Sequence, residues 1–230
     1  MIPKIKIPYH PIVIPDNNKT IHIKPYTIEI EKYLAGLDNK EDLITQMNII
    51  GELLKYCIVE DDFGLDDLSI GTIIWLFTKC YEISVKDTIE VTLKHECIES
   101  NNGINLSIKI KDIVYDGDFE PLLIDVDTEE GKYYLEFRCI RYKNIAYLKD
   151  ESSNIELVAS CLERMYDESG NNEVELTLED KVTIVSSLPM SIIHKIGDKI
   201  QDIRKPKYEV DYTCPHCGKH IKETLTDFFI

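Results

Sequence analysis

Glycine and long hydrophobic runs are scarce in this chain, and their scarcity excludes several classes of protein. Only 10 of the 230 residues are glycine, and neither a G-x-G-x-x-G phosphate loop nor a G-x-S-x-G nucleophile turn occurs. The densest apolar run, Leu68 to Phe77, is shorter than the ~18 to 20 residues that span a bilayer. We therefore expect no enzymatic activity and no membrane span.

Basic residues are also few. Lys and Arg total 26 against 42 Asp and Glu, which gives a net charge of −16. A field of this sign repels a phosphate backbone, so we expect no nucleic-acid partner. Residues 1–15 lack a continuous apolar segment followed by small residues, and seven cysteines are an odd number for a disulfide framework. These features predict a cytoplasmic protein with reduced thiols.

The composition that is present, 43% apolar and 30% charged residues, is typical of a chain with a buried core. Residues 5–14 and 20–24 flank a turn-like Pro-Asp-Asn-Asn segment and predict a basic β-hairpin. Apolar residues then recur at helical spacing over residues 41–59. Residues 68–81 are apolar nearly all round, which predicts a buried central helix.

From Thr88 the apolar period changes to two, which predicts strands. The predicted elements are strands at 89–93, 104–110, 122–126 and 133–141, helices after the capping-box pairs Ser153/Glu156 and Thr177/Asp180, a helix opened by Pro189, and a tail at 208–213 and 221–230. We predict an α+β fold with an N-terminal β-hairpin, a helical bundle, an antiparallel sheet region and a C-terminal zinc-ribbon-like tail. The predicted division is 1–87 and 88–230, packed as one compact unit.

The sharpest local motif is a C-x-x-C turn, Cys214-Pro215-His216-Cys217-Gly218, which is typical of one knuckle of a zinc ribbon. A tetrahedral site needs two more ligands, and the other plausible half is His95-Glu96-Cys97, with His216 and His220 also nearby. We predict one structural zinc held by Cys214, Cys217, Cys97 and His95. The alternative is a knuckle that packing alone holds. A redox dithiol is disfavoured because no helix follows to activate the first thiol.

Several short motifs are spread over nearly the whole chain. They are Lys24-Pro25-Tyr26, Leu53-Leu54-Lys55-Tyr56-Cys57, Ile73-Ile74-Trp75-Leu76-Phe77, Ile83-Ser84-Val85-Lys86-Asp87, Pro189, the Cys214 to Gly218 turn and Thr226-Asp227-Phe228-Phe229. In their order and spacing the chain resembles the baseplate hub assembly proteins of large T-even-type contractile-tailed bacteriophages. It departs from the family at the first Cys turn, where many members have C-x-x-C and this chain has only Cys97 with His95.

The resemblance implies a protein that builds the central hub of a tail baseplate, as an assembly chaperone or a minor hub subunit. It implies hub proteins as partners, no catalytic residues, and a location in the cytoplasm of the infected host, with the virion baseplate as a second location. One rival function is a zinc-ribbon adaptor of a cellular complex, which requires a complete four-ligand site. A thiol enzyme is the other rival.

Two features predict how such a protein contacts its partners. Either the acidic residues that follow the first long helix, Asp61, Asp62, Asp66 and Asp67, or those from Asp112 to Glu120 are predicted to dock on a basic patch of a hub protein. Near the C-terminus, Phe228 and Phe229 either anchor in an apolar pocket of the partner or fold back on their own domain.

Two single side chains test the predicted core. Trp75, the only Trp, is expected to be largely buried in its apolar helix. His194, on the Ile-rich last helix, is expected to be a half-buried structural residue rather than a base.

Overall fold

A computed structural model describes most of the chain. The described residues are 6–28, 30, 32, 43–93, 104–117, 120–129, 131–147, 154–170, 173–201, 204–214, 217–226 and 228. Helices in this part are α1 (Leu43–Cys57), α2 (Ile70–Ser84), α3 (Asn154–Ser160), α4 (Leu178–Ser187) and α5 (Met190–Gln201). Strands are β1 (His10–Val13), β2 (Thr20–Ile23), β3 (Thr88–Leu93), β4 (Ile104–Lys109), β5 (Leu122–Thr128), β6 (Gly131–Phe137), β7 (Leu162–Asp167), β8 (Tyr208–Thr213) and β9 (His220–Leu225). The fold is mixed α and β, as predicted.

The chain forms two compact units, and each is assembled from separate stretches of sequence. The first unit comprises Met1–Phe63, Gly71–Asp116 and Lys205–Ile230. The second unit comprises Gly64–Ile70 and Gly117–Arg204. The first unit thus contains residues from both sides of the division at residue 87, which itself stays a prediction.

The N-terminal hairpin of the first unit is confirmed. Strands β1 and β2 pair antiparallel, with Val13 opposite Thr20. Their turn is closed by the backbone N–H of Ile14, which donates to the carbonyl of Lys19 at 2.8 Å, and Asn18 takes the left-handed φ of 55° that Asn tolerates in turns. An antiparallel bridge from Ile23 to Ile58 ties the hairpin to the end of α1.

Helices α1 and α2 supply much of the core of the first unit. On α1, Met47, Leu54 and Cys57 are fully buried. On α2, Cys80 is also fully buried, and it is hydrogen-bonded to Cys57. The burial of α2 is as predicted, and the thiol pair shows that α1 and α2 touch at this level.

The Trp75 side chain is mostly buried, as expected, although less completely than its neighbours on the helix. Its ring lies beside Tyr115, with a centroid distance of 6.5 Å and an interplanar angle of 35°. The neighbouring positions Ile73 and Leu76 are fully buried. In a helix that is apolar nearly all round, the sequence does not show which side will be least buried. Here Trp75 lies on the less buried side.

Two further hairpins complete the first unit. Strands β3 and β4 pair antiparallel, as do β8 and β9, and both pairs agree with the predicted strands. Ile89, Ile108, Ile110 and Ile113 form a buried cluster, onto which Leu225 of β9 packs. The connection between β3 and β4 lies outside the described residues.

The second unit is built on a three-stranded antiparallel sheet in the order β5-β6-β7. Its core lies on one face of the central strand, where Leu135 and Phe137 are at most 1% exposed. Helices α3, α4 and α5 belong to the same unit as this sheet. The predicted capping box of α4 is confirmed, because the hydroxyl of Thr177 accepts from the N–H of Asp180 and the Asp180 carboxylate accepts from the N–H of Thr177.

Strand β7 was not predicted, because the sequence favoured helices throughout this region. Helix α3 ends at Ser160, and Leu162 already pairs with Phe137 of β6. Only Leu162 is fully buried in β7, while Glu163 and Arg164 keep contact with solvent. A strand whose side chains are mostly polar, and which is held by backbone pairing to a neighbour, has little hydrophobic periodicity to reveal it.

In the part of the chain that the structure describes, no helix is both long enough and apolar enough to span a bilayer.

Candidate metal knuckle and interaction surfaces

The C-x-x-C turn closes the β8–β9 ribbon. The N–H of Cys214 donates to the carbonyl of Lys219 at 2.9 Å, and the N–H of Gly218 donates to the carbonyl of Cys214 at 2.9 Å. Gly218 has a φ of +70°, a left-handed conformation that favours glycine. Cys214 is 1% exposed, whereas Cys217 is exposed. These two hydrogen bonds hold the described ends of the turn together, with the Cys214 thiol inside the fold and the Cys217 thiol at its surface.

The remaining predicted zinc ligands, His95 and Cys97, lie outside the described residues, so the four-ligand site stays a prediction. Among the residues that the structure describes, no group of three or more His, Cys, Asp or Glu side chains could hold a metal ion. His220 is engaged on the ribbon itself, with Nδ1 3.2 Å from Thr213 Oγ1 and Nε2 3.3 Å from Asp211 Oδ1. His220 is therefore poorly disposed to act as a ligand.

Two of the other described thiols, those of Cys161 and Cys80, have low reactivity. Burial raises the pKa of Cys161 to about 12, although a hydrogen bond with Ser160 opposes the shift. The hydrogen bond with Cys57, together with burial, raises the pKa of Cys80 well above its usual value. Since the thiolate is the reactive form, these two residues serve as small buried hydrophobes.

The four acidic residues predicted to bind a partner are all exposed, but they fall into two groups. Asp61 and Asp62 belong to the first unit, and their side chains make no hydrogen bond or ion pair with the described residues. Asp66 and Asp67 belong to the second unit. The four carboxylates look equivalent in the sequence, but they belong to different units and have different neighbours in the structure.

Asp67 is paired within its own unit. Its Oδ1 accepts a hydrogen bond from Lys143 Nζ at 2.8 Å and lies 3.5 Å from Arg141 Nη1. The hydrogen bond from Lys143 holds the pKa of the Asp67 carboxyl below its usual range. No sequence signal marked Lys143 or Arg141, which lie more than seventy residues further along the chain.

Glu60, which precedes the acidic residues, was not singled out from the sequence. Its carboxylate accepts hydrogen bonds from the backbone N–H of His22 at 3.0 and 3.1 Å and lies 2.9 Å from His22 Nδ1. Glu60 thereby fixes the start of the acidic loop, residues 60–67, to strand β2. In the sequence Glu60 is one of several neighbouring acidic residues. That pattern does not distinguish a carboxylate that is hydrogen-bonded to another strand from one that is exposed and unpaired.

Phe228 packs onto its own unit. It is partly buried against the isoleucine cluster of Ile89, Ile108, Ile110 and Ile113. Phe229 lies outside the described residues, so its role stays a prediction. For Phe228 the contact agrees with the self-packing alternative.

Comparison with known proteins decides the class to which the chain belongs. A family model described as "T4 bacteriophage base plate protein" matches residues 7–230. The chain belongs to this family. Searches of the curated proteins and of the solved structures found no match. The resemblance to phage baseplate proteins is therefore confirmed, and the matched region of this base plate protein includes the knuckle and the acidic loop.

Truncation of Phe228 separates a structural role from a partner-binding role in this base plate protein. Phe228→Ala should lower the free energy of unfolding by about 1 to 2 kcal/mol, because a partly buried ring is lost from the cluster. Urea denaturation measures the loss. Tyr9→Ala is a matched control, since Tyr9 is 60% exposed and its removal should change stability by less than about 0.5 kcal/mol. Unchanged stability in Phe228→Ala would contradict self-packing.

Proposed function

We propose that this base plate protein mediates assembly of the baseplate hub, as an assembly chaperone or a minor hub subunit. It acts through protein contacts in the cytoplasm of the infected cell and not as an enzyme. The observation that carries the proposal is the family match over residues 7–230. The order and spacing of the motifs between Lys24 and Phe229 support the narrower assignment to the hub.

The charge distribution supports the choice of a protein partner with a basic face. The net charge is −16, and Asp61 and Asp62 are exposed carboxylates without a pairing side chain among the described residues. Unpaired surface carboxylates attract a complementary patch over the screening length of ~8 to 10 Å. Asp67 contributes less to such a surface, because Lys143 and Arg141 already neutralise it.

Deletion of the gene for this protein from its phage tests the proposed function. Infected cells should then accumulate tail parts that lack a complete baseplate hub, as seen by electron microscopy of the lysates, and a plasmid copy should restore hub formation. Mass spectrometry of purified wild-type virions separates the two roles, because a hub subunit is retained and a chaperone is not. Normal hubs in the deletion strain would refute the proposed function.

Replacement of Asp61 and Asp62 tests whether the acidic loop steers the partner. The double variant Asp61→Asn with Asp62→Asn should associate about two- to fivefold more slowly with a hub partner at low salt, with little change in dissociation rate. Stopped-flow or surface-based kinetics at several salt concentrations measure both rates. Rising salt should slow the wild-type protein towards the rate of the variant.

A second double variant controls for net charge. Asp127→Asn with Glu168→Gln removes the same amount of charge from exposed positions of the second unit. Its association rate should change less than that of the variant in the acidic loop. Equal slowing in both variants would show that overall charge, and not this loop, governs association.

A further inference from the structure

Helices α3, α4 and α5 of the second unit enclose an open apolar groove. The cavity within it has a volume of about 410 Å³. Its floor includes Val158, Val185 and Ile200, each at most 7% exposed, and Ile155 and Met190 line its rim. Protein interiors leave few voids larger than a water molecule, so an opening of this size is a surface feature rather than loose packing. Water in it would find few hydrogen-bonding partners.

The rim of the groove is apolar as well as the floor. Met190 is 67% exposed and Ile155 is 47% exposed. A small apolar molecule inside the cavity would leave both side chains in water, whereas a protein segment laid along the groove would cover them. Methionine has a flexible thioether side chain that adapts to varied surfaces and recurs at binding sites. The rim therefore fits a macromolecular occupant.

Gly197 is a residue whose identity nothing within the described chain requires. It lies inside α5, and a Cβ atom added there would meet no atom within 4 Å. Glycine in a helix interior lowers helix stability relative to alanine. Glycine at this position allows close approach, because the backbone of a partner can come near a helix where there is no side chain. Gly197 lines the same groove.

The charges along the groove select the chemistry of the occupant. His194 and Asp198 lie one turn apart on α5, line the groove and are exposed. Neither makes a hydrogen bond or an ion pair within the described part of the chain. Among the described residues that line the groove, Asp198 is the only carboxylate, and Lys195 and Lys199 of the same helix do not line it. The exposure of His194 also corrects the sequence expectation, which placed it half-buried.

We propose that this groove binds an amphipathic helix of another baseplate protein. The helix inserts apolar side chains spaced at i, i+3 or i+4, and i+7 between α3 and α5, passes closely over Gly197, and pairs a Lys or Arg with Asp198. A second copy of this chain is a poorer occupant, because a net charge of −16 on each copy opposes self-association. The proposal rests on the proposed function, since it assigns the surface through which a hub partner is held.

The test uses the full chain, expressed together with each of the other baseplate proteins of its phage in turn. Gly197→Leu fills the close-approach position and should weaken binding to the partner by at least about tenfold, as calorimetry or interferometry measures. Its melting temperature should not fall, because leucine favours a helix more than glycine does. Thr183→Leu is the matched control, since it places the same leucine at an exposed position of α4 that does not line the groove. Asp198→Asn should weaken binding by about threefold or more.

Each outcome decides between the proposals. A complex that is weakened by Gly197→Leu but not by Thr183→Leu supports the groove. A complex with unchanged affinity in Gly197→Leu refutes the groove and leaves the proposed function standing. The absence of any baseplate partner refutes both. A wild-type dimer that Gly197→Leu dissociates assigns the groove to a second copy and overturns the proposal. If Gly197→Leu does not fold, Met190→Glu at the exposed rim serves the same comparison.

Discussion

Phe137→Ala should lower the free energy of unfolding of the second unit by about 3 to 5 kcal/mol. The side chain is 1% exposed and lies on β6, the central strand of the sheet, opposite Leu122 of β5 and next to Leu162 of β7. With a paired strand on either side, β6 cannot shift to fill the space that the ring leaves. The loss is large beside the about 5 to 15 kcal/mol by which ordinary domains are stable.

Amide hydrogen exchange of the β6 residues measures this loss unit by unit, because the chain forms two compact units and a single melting curve combines them. The control is Leu123→Ala on the neighbouring strand β5, where the side chain is 50% exposed. It should change the free energy of opening by less than about 0.5 kcal/mol. Similar protection factors in the two variants would show that Phe137 does not belong to the core.

The elements that the sequence predicted correctly carry local signals. The period of two over β3 and β4 and the turn between β1 and β2 identified hairpins, and both occur. The Thr177 and Asp180 pair identified the start of α4 from two side chains within one turn. Each of these signals lies within one turn or one pair of neighbouring strands, so no knowledge of distant parts of the chain was needed.

The elements and positions that the sequence missed depend on distant parts of the chain. Strand β7 exists because β6 lies beside it, and its own residues show little alternation. His194 lies on an amphipathic helix between the apolar positions Ile193 and Ile196, and whether such a flanking side chain meets solvent depends on how the neighbouring helices pack. The groove beside α5 is formed together with α3 and α4, so the position of Gly197 in the sequence does not indicate that a groove exists.

The candidate sites divide in the same way. The knuckle was predicted because Cys214, Cys217 and Gly218 lie within five residues of sequence, and its role in metal binding stays a prediction. The sequence could not predict which carboxylates of the acidic loop form ion pairs, because Asp67 pairs with residues more than seventy positions away. Likewise, the packing of Phe228 requires a cluster that β3 and β4 assemble.

Cys214→Ser should have the other large effect. If the predicted zinc binds, purified protein carries about one zinc per chain, and the variant should lose both the metal and more than about 2 kcal/mol of stability, since metal-binding energy is folding energy. Cys214 is, however, 1% exposed, so burial of a hydroxyl in place of its thiol costs about 1 to 3 kcal/mol even without metal. A loss of stability in this variant alone therefore does not identify a zinc site.

Cys217→Ser provides the comparison that decides between the two causes. Cys217 is exposed, so its replacement carries little packing cost and should change stability by less than about 0.5 kcal/mol in the absence of metal. A zinc site makes the two cysteines equivalent, because each supplies one of four ligands. Both variants should lose the zinc, as mass spectrometry measures, and both should lose more than about 2 kcal/mol of stability, with the larger loss in Cys214→Ser because it also buries a hydroxyl. Destabilisation of Cys214→Ser alone, with no zinc in the wild-type protein, would leave a knuckle that packing holds together.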